Sequence, residues 1–347
     1  MADPLSDSGR PYSSKVVAMK MPVVPAAFFG MVLGLIGLGG AWRVAHRVWQ
    51  LPAVIGESIM ACGSMVWAIV MILFALKWLM ARDAALTEAR HPVQCCFIGL
   101  AGVSTMLVAL AVLPYSPTSA SVMFVAGATF TIVFAVWRTG LLWQGGRDPA
   151  TTTPVLYLPT VAGGFVTAIG ASTLGQIEWA QLAFGVGLLS WLAIESVLLH
   201  RLYTLPSMPP PLRPTLGVQL APPAVGAVAW LSVNGGAPDL VAHALVGYAL
   251  LQILLMLRLA RWIHAQPFSP AYWSFTFGVT ALATAGLQMV EAGDAGAVAS
   301  LAPWLFAGAN LLVVAISIGT LWLMVAGRLI PPSSPALLSP QTPAPTV

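Results

Sequence analysis

Five segments of the chain begin with a proline and continue as an apolar stretch: PVVPAAFFG (22–30), PVQCCFIGL (92–100), PVLYLPTVA (154–162), PTLGVQLAP (214–222) and PAYWSFTFG (270–278). Successive prolines are 70, 62, 60 and 56 residues apart. This is about the length of a hairpin of two transmembrane helices, at roughly 20 residues per span plus loops. A further apolar stretch without a leading proline follows each segment. The recurrence predicts a ring of five like hairpins, and a ring in a membrane encloses a central path.

The composition is that of a membrane protein. Hydrophobic residues make up 58% of the 347 positions and charged residues 7%, whereas a soluble domain carries about 25% charge. No segment has the strict alternation of a transmembrane β-strand, so the spans are predicted to be helices. The net charge of +4 is small and scattered, which argues against a nucleic acid partner. The expected surroundings are a lipid bilayer.

Hydropathy predicts ten transmembrane helices. Of the 15 Lys and Arg residues, 13 fall in the N-terminal tail or in loops on one side, and Arg43 and Arg47 fall on the other. The positive-inside rule then places both termini in the cytoplasm. We expect an N-terminal tail over 1–21, a membrane domain over 22–328 and a disordered Pro/Ser-rich tail over 329–347. The ten spans are 22–43, 56–78, 92–113, 119–142, 155–174, 179–200, 215–234, 240–262, 272–290 and 301–325.

The odd-numbered spans contain the residues that disturb helices. Pro25, Pro159, Pro222 and Pro223 lie within them, together with glycines in every odd span, whereas the middles of the even spans contain no proline. Irregular backbone is tolerated inside protein or beside a wet cavity, but not against lipid. We therefore predict an inner ring of five kinked odd helices within an outer ring of five straighter even helices. Close helix packing by small residues is the simpler explanation for any single glycine.

The predicted inner ring is electrically neutral. No Asp, Glu, Lys or Arg lies at bilayer depth in an odd span, whereas proton-driven pumps need a titratable chain across the membrane. This absence favours passive flow. The five histidines are dispersed without metal-ligand spacing, and no cofactor or metal is expected.

Several strings resemble a known family: TTPVLYLPTVAGGF (152–165), LGVQLAPPAV (216–225), AWLSVNGG (229–236), YWSFTFGVTALAT (272–284) and PAAFFGMVLG (25–34). They are similar to the tellurite-resistance/dicarboxylate transporter family, in its bacterial TehA branch. The family includes the slow anion channels of plant guard cells. The resemblance covers roughly 22–325 and implies a ten-helix protomer in quasi-fivefold arrangement, a homotrimer with one pore per protomer, and a bacterial inner membrane location.

The resemblance also implies a gate. A phenylalanine of the ninth helix plugs the family's pore, and the matching residue is Phe277, with Phe275 as the alternative register. Phe277 lies seven residues after Pro270, and the same offset selects a residue in each of the other odd spans. Together with the nearby glycines and prolines, these give the expected pore-lining residues Phe29, Gly30, Gly99, Pro159, Val161, Ala221, Pro222 and Gly278.

Two functions remain open at this point. The first is passive conduction of small inorganic anions such as chloride, nitrate and iodide, associated with tellurite resistance. The second is proton-coupled transport of C4-dicarboxylates or sulfite, in which Glu195 of span six would carry the proton. Pairing with a neighbouring side chain would equally explain Glu195. Arg90 and His91 are placed at the cytoplasmic mouth, where positive charge would concentrate anions, although an ordinary interfacial role fits them too. An enzyme is not expected.

Overall fold

The computed structural model describes residues 23–330, and in that part of the chain all regular structure is helical. Five inner helices correspond to the odd spans and five outer helices to the even spans. The inner helices are α1 (Phe29–Trp49), α4 (Leu100–Val112), α6 (Gly163–Thr173), α8 (Ala221–Val233) and α10 (Thr276–Glu291). The outer helices are α2 (Ala53–Met80), α5 (Pro117–Trp143), α7 (Ile177–Thr204), α9 (Leu240–Ile263) and α11 (Ala297–Val325). A short charged helix, α3 (Arg82–Arg90), follows α2.

Burial separates the two sets of helices. In the most apolar stretch of each outer helix, only 22–28% of residues are buried within the protein, whereas 61–83% are buried in the stretches that contain α1, α4, α6 and α8. Both sets are apolar, so the exposed apolar faces of the outer helices are suited to lipid. The inner helices are enclosed by protein, as predicted.

The inner helices form a closed ring. α1 packs against α4, α4 against α6, α6 against α8, α8 against α10, and α10 returns to α1. Each outer helix packs against its own hairpin partner and also against the next inner helix, so that α2 contacts α4 and α11 contacts α1. The same relation recurs around the ring. This is the quasi-fivefold arrangement of hairpins that the sequence predicted.

Each inner helix begins irregularly. Short 3₁₀ segments precede α1, α4, α8 and α10 over Ala26–Phe28, Gln94–Gly99, Pro210–Leu220 and Pro270–Phe275. Before α6, a 3₁₀ turn at Pro154–Leu156 is followed by a π-helical turn over Leu158–Ala162. Pro159 lies in the π-helical turn and Pro214 inside the segment before α8, where a proline disturbs the helix because it lacks an N–H and crowds the preceding turn. Pro22, the first of the five prolines, lies outside the described residues.

Some details differ from the sequence prediction. Nine helical stretches within 23–330 are long and apolar enough to cross a membrane. The stretch Pro270–Glu291 is not among them, so the tenth span stays a prediction. It carries polar residues at four-residue spacing, namely Thr276, Thr280, Thr284 and Gln288. α11 begins four residues before the predicted span, which places Pro303 inside an outer helix. α3 was not predicted, because its charged sequence lacks the apolar stretch that hydropathy detects.

Candidate pore

A vestibule of about 370 Å³ opens where the inner helices begin. Residues from all five inner hairpin starts line it, including Gly30, Phe97, Leu158, Val218 and Trp273. The only polar side chains among its described lining residues are uncharged: Gln94, Thr215, Ser269, Trp273 and Ser274. The vestibule is therefore an apolar, neutral space on the axis of the ring.

A second cavity of about 20 Å³ lies deeper along the inner helices, large enough for roughly one water molecule. Its wall includes Tyr157, Val161, Phe165 and Val225. Five residues line both this cavity and the vestibule, and we call them the constriction: Leu33, Leu158, Val218, Ala221 and Phe277. Phe277 is the only aromatic member and is 9% exposed. Apolar side chains from four inner hairpins thus lie between the vestibule and the deeper cavity.

The structure brings several of the predicted lining residues to this path. Phe277 and Ala221 belong to the constriction, Gly30 lines the vestibule, and Val161 and Pro222 line the deeper cavity. Gly278 faces the adjacent helix, with an added Cβ only 2.9 Å from the Ala221 nitrogen. This contact holds the start of α10 close to the start of α8.

Four other predicted residues lie elsewhere. Phe29 is fully buried and packs edge-on against Phe74 of α2, with ring centroids 5.5 Å apart. Gly99 faces Phe134 of α5, and Pro159 lines neither cavity. Phe275, the alternative plug residue, stacks on Tyr272 and packs against Gly217 instead.

The constant offset of seven residues brings Val161, Ala221 and Phe277 to the path but not Phe29 or Gly99. A 3₁₀ helix has 3.0 residues per turn against 3.6 in an α-helix, so an irregular start changes the face on which a later residue lies. The length of the start does not by itself separate the two groups, because α4 and α10 both follow six 3₁₀ residues.

Leu33, Leu158 and Val218 complete the constriction and were not predicted. Leu33 lies three residues after Gly30, and both residues line the vestibule from the same side of α1. Leu158 and Val218 precede predicted residues by one to three positions. A search for large apolar side chains within three residues of the predicted lining residues would have included them.

Glu195 lies on α7 and points inward. It is 9% exposed, and its carboxylate accepts hydrogen bonds from the Tyr157 and Tyr248 hydroxyls, the Trp191 indole and the Gln219 amide. Within 23–330 no basic side chain forms an ion pair with it. The neighbouring side chains that pair with Glu195 are thus four neutral hydrogen-bond donors.

The predicted mouth residues have different surroundings. Arg90 is exposed at the end of α3. The His91 Nδ1 accepts hydrogen bonds from the backbone N–H groups of Val93 and Gln94, both at 3.1 Å. Burial lowers the pKa of the His91 imidazole, partly opposed by nearby Glu88. His91 therefore acts as a neutral cap for the start of the third span, and positive charge here rests with Arg90.

Basic residues at the ends of two outer helices hold the starts of their inner partners. The Lys77 ammonium donates to the Val24 carbonyl at 2.8 Å and also pairs with Glu88, which accepts from the backbone N–H of Ala26. Arg138 repeats the arrangement in the next hairpin by donating to the Pro92 carbonyl at 3.1 Å. These bonds anchor the irregular segments that form the vestibule.

These features define a multi-pass helical membrane protein whose inner helices surround an apolar passage. The sequence matches the family described as SLAC1, voltage-dependent anion channel, over residues 23–321. The chain belongs to this family, whose members are anion channels or transporters and not enzymes. The resemblance drawn from the sequence is confirmed.

Curated relatives come from bacteria and plants. The tellurite resistance protein TehA homolog of Haemophilus influenzae is 30% identical over 306 residues, which cover 88% of this chain and 92% of the relative. The S-type anion channel SLAH2 of Arabidopsis thaliana is 23% identical over 84% of this chain and 57% of its own length. The guard cell S-type anion channel SLAC1 of the same plant is 26% identical over 77% of this chain and 50% of its own length. The chain thus spans about half the length of these plant relatives.

Proposed function

We propose that this protein is an anion channel in which the Phe277 ring blocks a neutral path along the axis of the inner ring. The observation that carries the proposal is the position of Phe277 between the vestibule and the deeper cavity. An apolar ring at such a point excludes water and offers an ion nothing to replace its hydration shell. Conduction then requires the ring to change rotamer or α10 to shift.

The neutral lining supports passive flow. A proton-driven carrier would need titratable groups along the path, and the described residues around the two cavities include no ionisable carboxylate, amine or imidazole. Tyr157 lies between Glu195 and the deeper cavity, so the carboxylate does not border the path. Selection for anions would come from the ends of the inner helices, whose first N–H groups bias the vestibule toward negative charge.

The proposed assembly and location follow the family. We propose a homotrimer with one path per protomer, in a bacterial inner membrane, with both termini in the cytoplasm. The conducted ions are small inorganic anions such as chloride, nitrate and iodide. Tellurite resistance is proposed as a consequence of anion flux, by analogy with the TehA homolog. C4-dicarboxylates or sulfite would be the substrates if the protein proved to be a carrier.

Two measurements on the purified protein separate a channel from a carrier. Net current is recorded in a planar bilayer with a chloride gradient and no pH gradient. Uptake of malate or sulfite is measured in liposomes of the same lipids, with and without an imposed proton gradient. A channel gives a current that reverses at the chloride equilibrium potential. Uptake of malate or sulfite that needs an imposed proton gradient, with no chloride current, would replace this proposal with the carrier.

A further inference from the structure

The Glu195 carboxylate is the centre of a buried hydrogen-bond cluster behind the constriction. Its two oxygens accept from the Trp191 Nε1 at 3.0 Å, from the Tyr248 hydroxyl at 2.7 Å, from the Gln219 Nε2 at 3.0 and 3.1 Å, and from the Tyr157 hydroxyl. All of these groups are neutral donors. Hydrogen bonds to an ionised acceptor are about twice as strong as those between neutral groups.

Two of the four donors belong to segments that supply constriction residues. Tyr157 immediately precedes Leu158, and Gln219 lies between Val218 and Ala221. Glu195 therefore fixes, from one carboxylate, the two segments that supply three of the five constriction residues. Trp191 and Tyr248 belong to the outer helices α7 and α9 and hold the carboxylate itself in place.

These two wall segments need outside support. Tyr157 leads into the π-helical turn with Pro159, and Gln219 lies in the long 3₁₀ segment before α8. Such turns have poorer backbone hydrogen bonds than an α-helix, and proline removes one donor. Of the other two constriction residues, Leu33 lies in the second turn of α1 and Phe277 is the second residue of α10.

We propose that Glu195 is a positioning residue for the gate: it holds Leu158, Val218 and Ala221 against the Phe277 ring and so keeps the constriction narrow. This inference rests on the proposed function. A carboxylate at membrane depth is costly, and a role in fixing the narrow state accounts for its presence on an otherwise lipid-facing outer helix. Loosening the cluster should let the wall retreat from the ring and raise the anion current.

Two tyrosines allow a matched comparison. Tyr157→Phe and Tyr248→Phe each remove one hydroxyl from the same carboxylate and leave the ring in place, but only Tyr157 lines the deeper cavity. We expect Tyr157→Phe to raise the chloride current about fivefold, the effect of one lost hydrogen bond on a two-state equilibrium, and Tyr248→Phe to raise it less than twofold. Ser196→Ala, at an exposed position on α7 beside Glu195, should leave the current unchanged. If Tyr157→Phe is not recovered from membranes, Gln219→Met removes a donor from the other wall segment and is judged by the same criteria.

The deciding experiment combines Tyr157→Phe with Phe277→Ala in planar bilayers, with currents normalised to the amount of reconstituted protein. If Glu195 acts through the gate, the double variant conducts no more than Phe277→Ala alone, because no ring remains to be held. If the effects of the two substitutions on the current add in the double variant, the role of Glu195 is overturned and the gate is retained. The same conclusion follows if Phe277→Ala raises the current but Tyr157→Phe leaves it equal to that of wild type. A Phe277→Ala current equal to wild type would instead overturn the gate itself.

Discussion

Gly278 sets the distance between α10 and the start of α8, and Gly278→Ala should widen it. The added Cβ would lie 2.9 Å from the Ala221 nitrogen, 2.9 Å from the Leu220 Cγ and 3.0 Å from the Leu220 carbonyl carbon. Ordinary contacts begin near 3.4 Å, so the two elements must separate by about 0.5 Å. Two of the three close atoms are backbone, which a side-chain rotation cannot relieve. Overpacking of this kind costs about 1–3 kcal/mol.

The substitution should change stability and conduction together. The apparent unfolding midpoint in detergent should fall by about 2–12 °C, at 2–4 °C per kcal/mol. The chloride current should rise, because Ala221 retreats from Phe277. The matched control is Gly185→Ala on α7, where an added Cβ meets no atom within 4 Å and alanine is the better helix former. Its midpoint should stay equal or rise. A Gly278→Ala protein with the wild-type midpoint and current would refute the packing argument.

Three other predictions concern the mouth and the path. Lys77→Met leaves the largely buried Glu88 without its cation and should cost about 3–5 kcal/mol of stability. The apparent unfolding midpoint in detergent should therefore be lower than that of the exposed control variant Arg82→Met. Equal midpoints for the two variants would contradict this prediction. Burial lowers the pKa of His91 below 6.5 in the folded protein. As the pH falls, the imidazole is therefore protonated in the unfolded chain before it is protonated in the folded protein. The free energy of unfolding should then decrease as the pH falls below about 6.5. His91→Asn keeps a hydrogen-bond acceptor for the backbone N–H groups of Val93 and Gln94 but does not titrate. This variant should lose less stability than wild type between pH 7 and pH 5. An unchanged dependence of the unfolding midpoint on pH would count against this role of His91. Permeability from reversal potentials should rank iodide and nitrate above chloride, since a neutral path favours ions that lose their hydration easily; the reverse order would require a fixed anion site.

The architecture was predictable because lipid leaves few choices. Helices are the only way to satisfy the backbone of such apolar segments, and the regular spacing of the five prolines then indicated which helices pair. The concentration of proline and glycine in odd spans was enough to place those spans inside, and the burial of the helices confirms this arrangement.

The side chains at the constriction were only partly predictable. Phe277 came from family resemblance, and Val161 and Ala221 from the repeat offset, but the same offset also selected Phe29 and Gly99, which face the outer helices α2 and α5. Sequence does not give the number of 3₁₀ residues before an inner helix, so it cannot give the rotation of that helix. Trp191 lies one turn before Glu195 on the same helix, but the other three partners were beyond reach, because they lie 24 to 53 residues away in sequence on other elements.

In the proposed channel, one aromatic side chain interrupts an otherwise neutral path. This block is tested by the chloride current of Phe277→Ala in planar bilayers, compared with wild type at equal protein. We expect an increase of about tenfold or more, equivalent to lowering the barrier by at least about 1.4 kcal/mol, with reversal still at the chloride equilibrium potential. A current no larger than that of wild type, from a variant that is folded and correctly inserted, would show that Phe277 does not block the path.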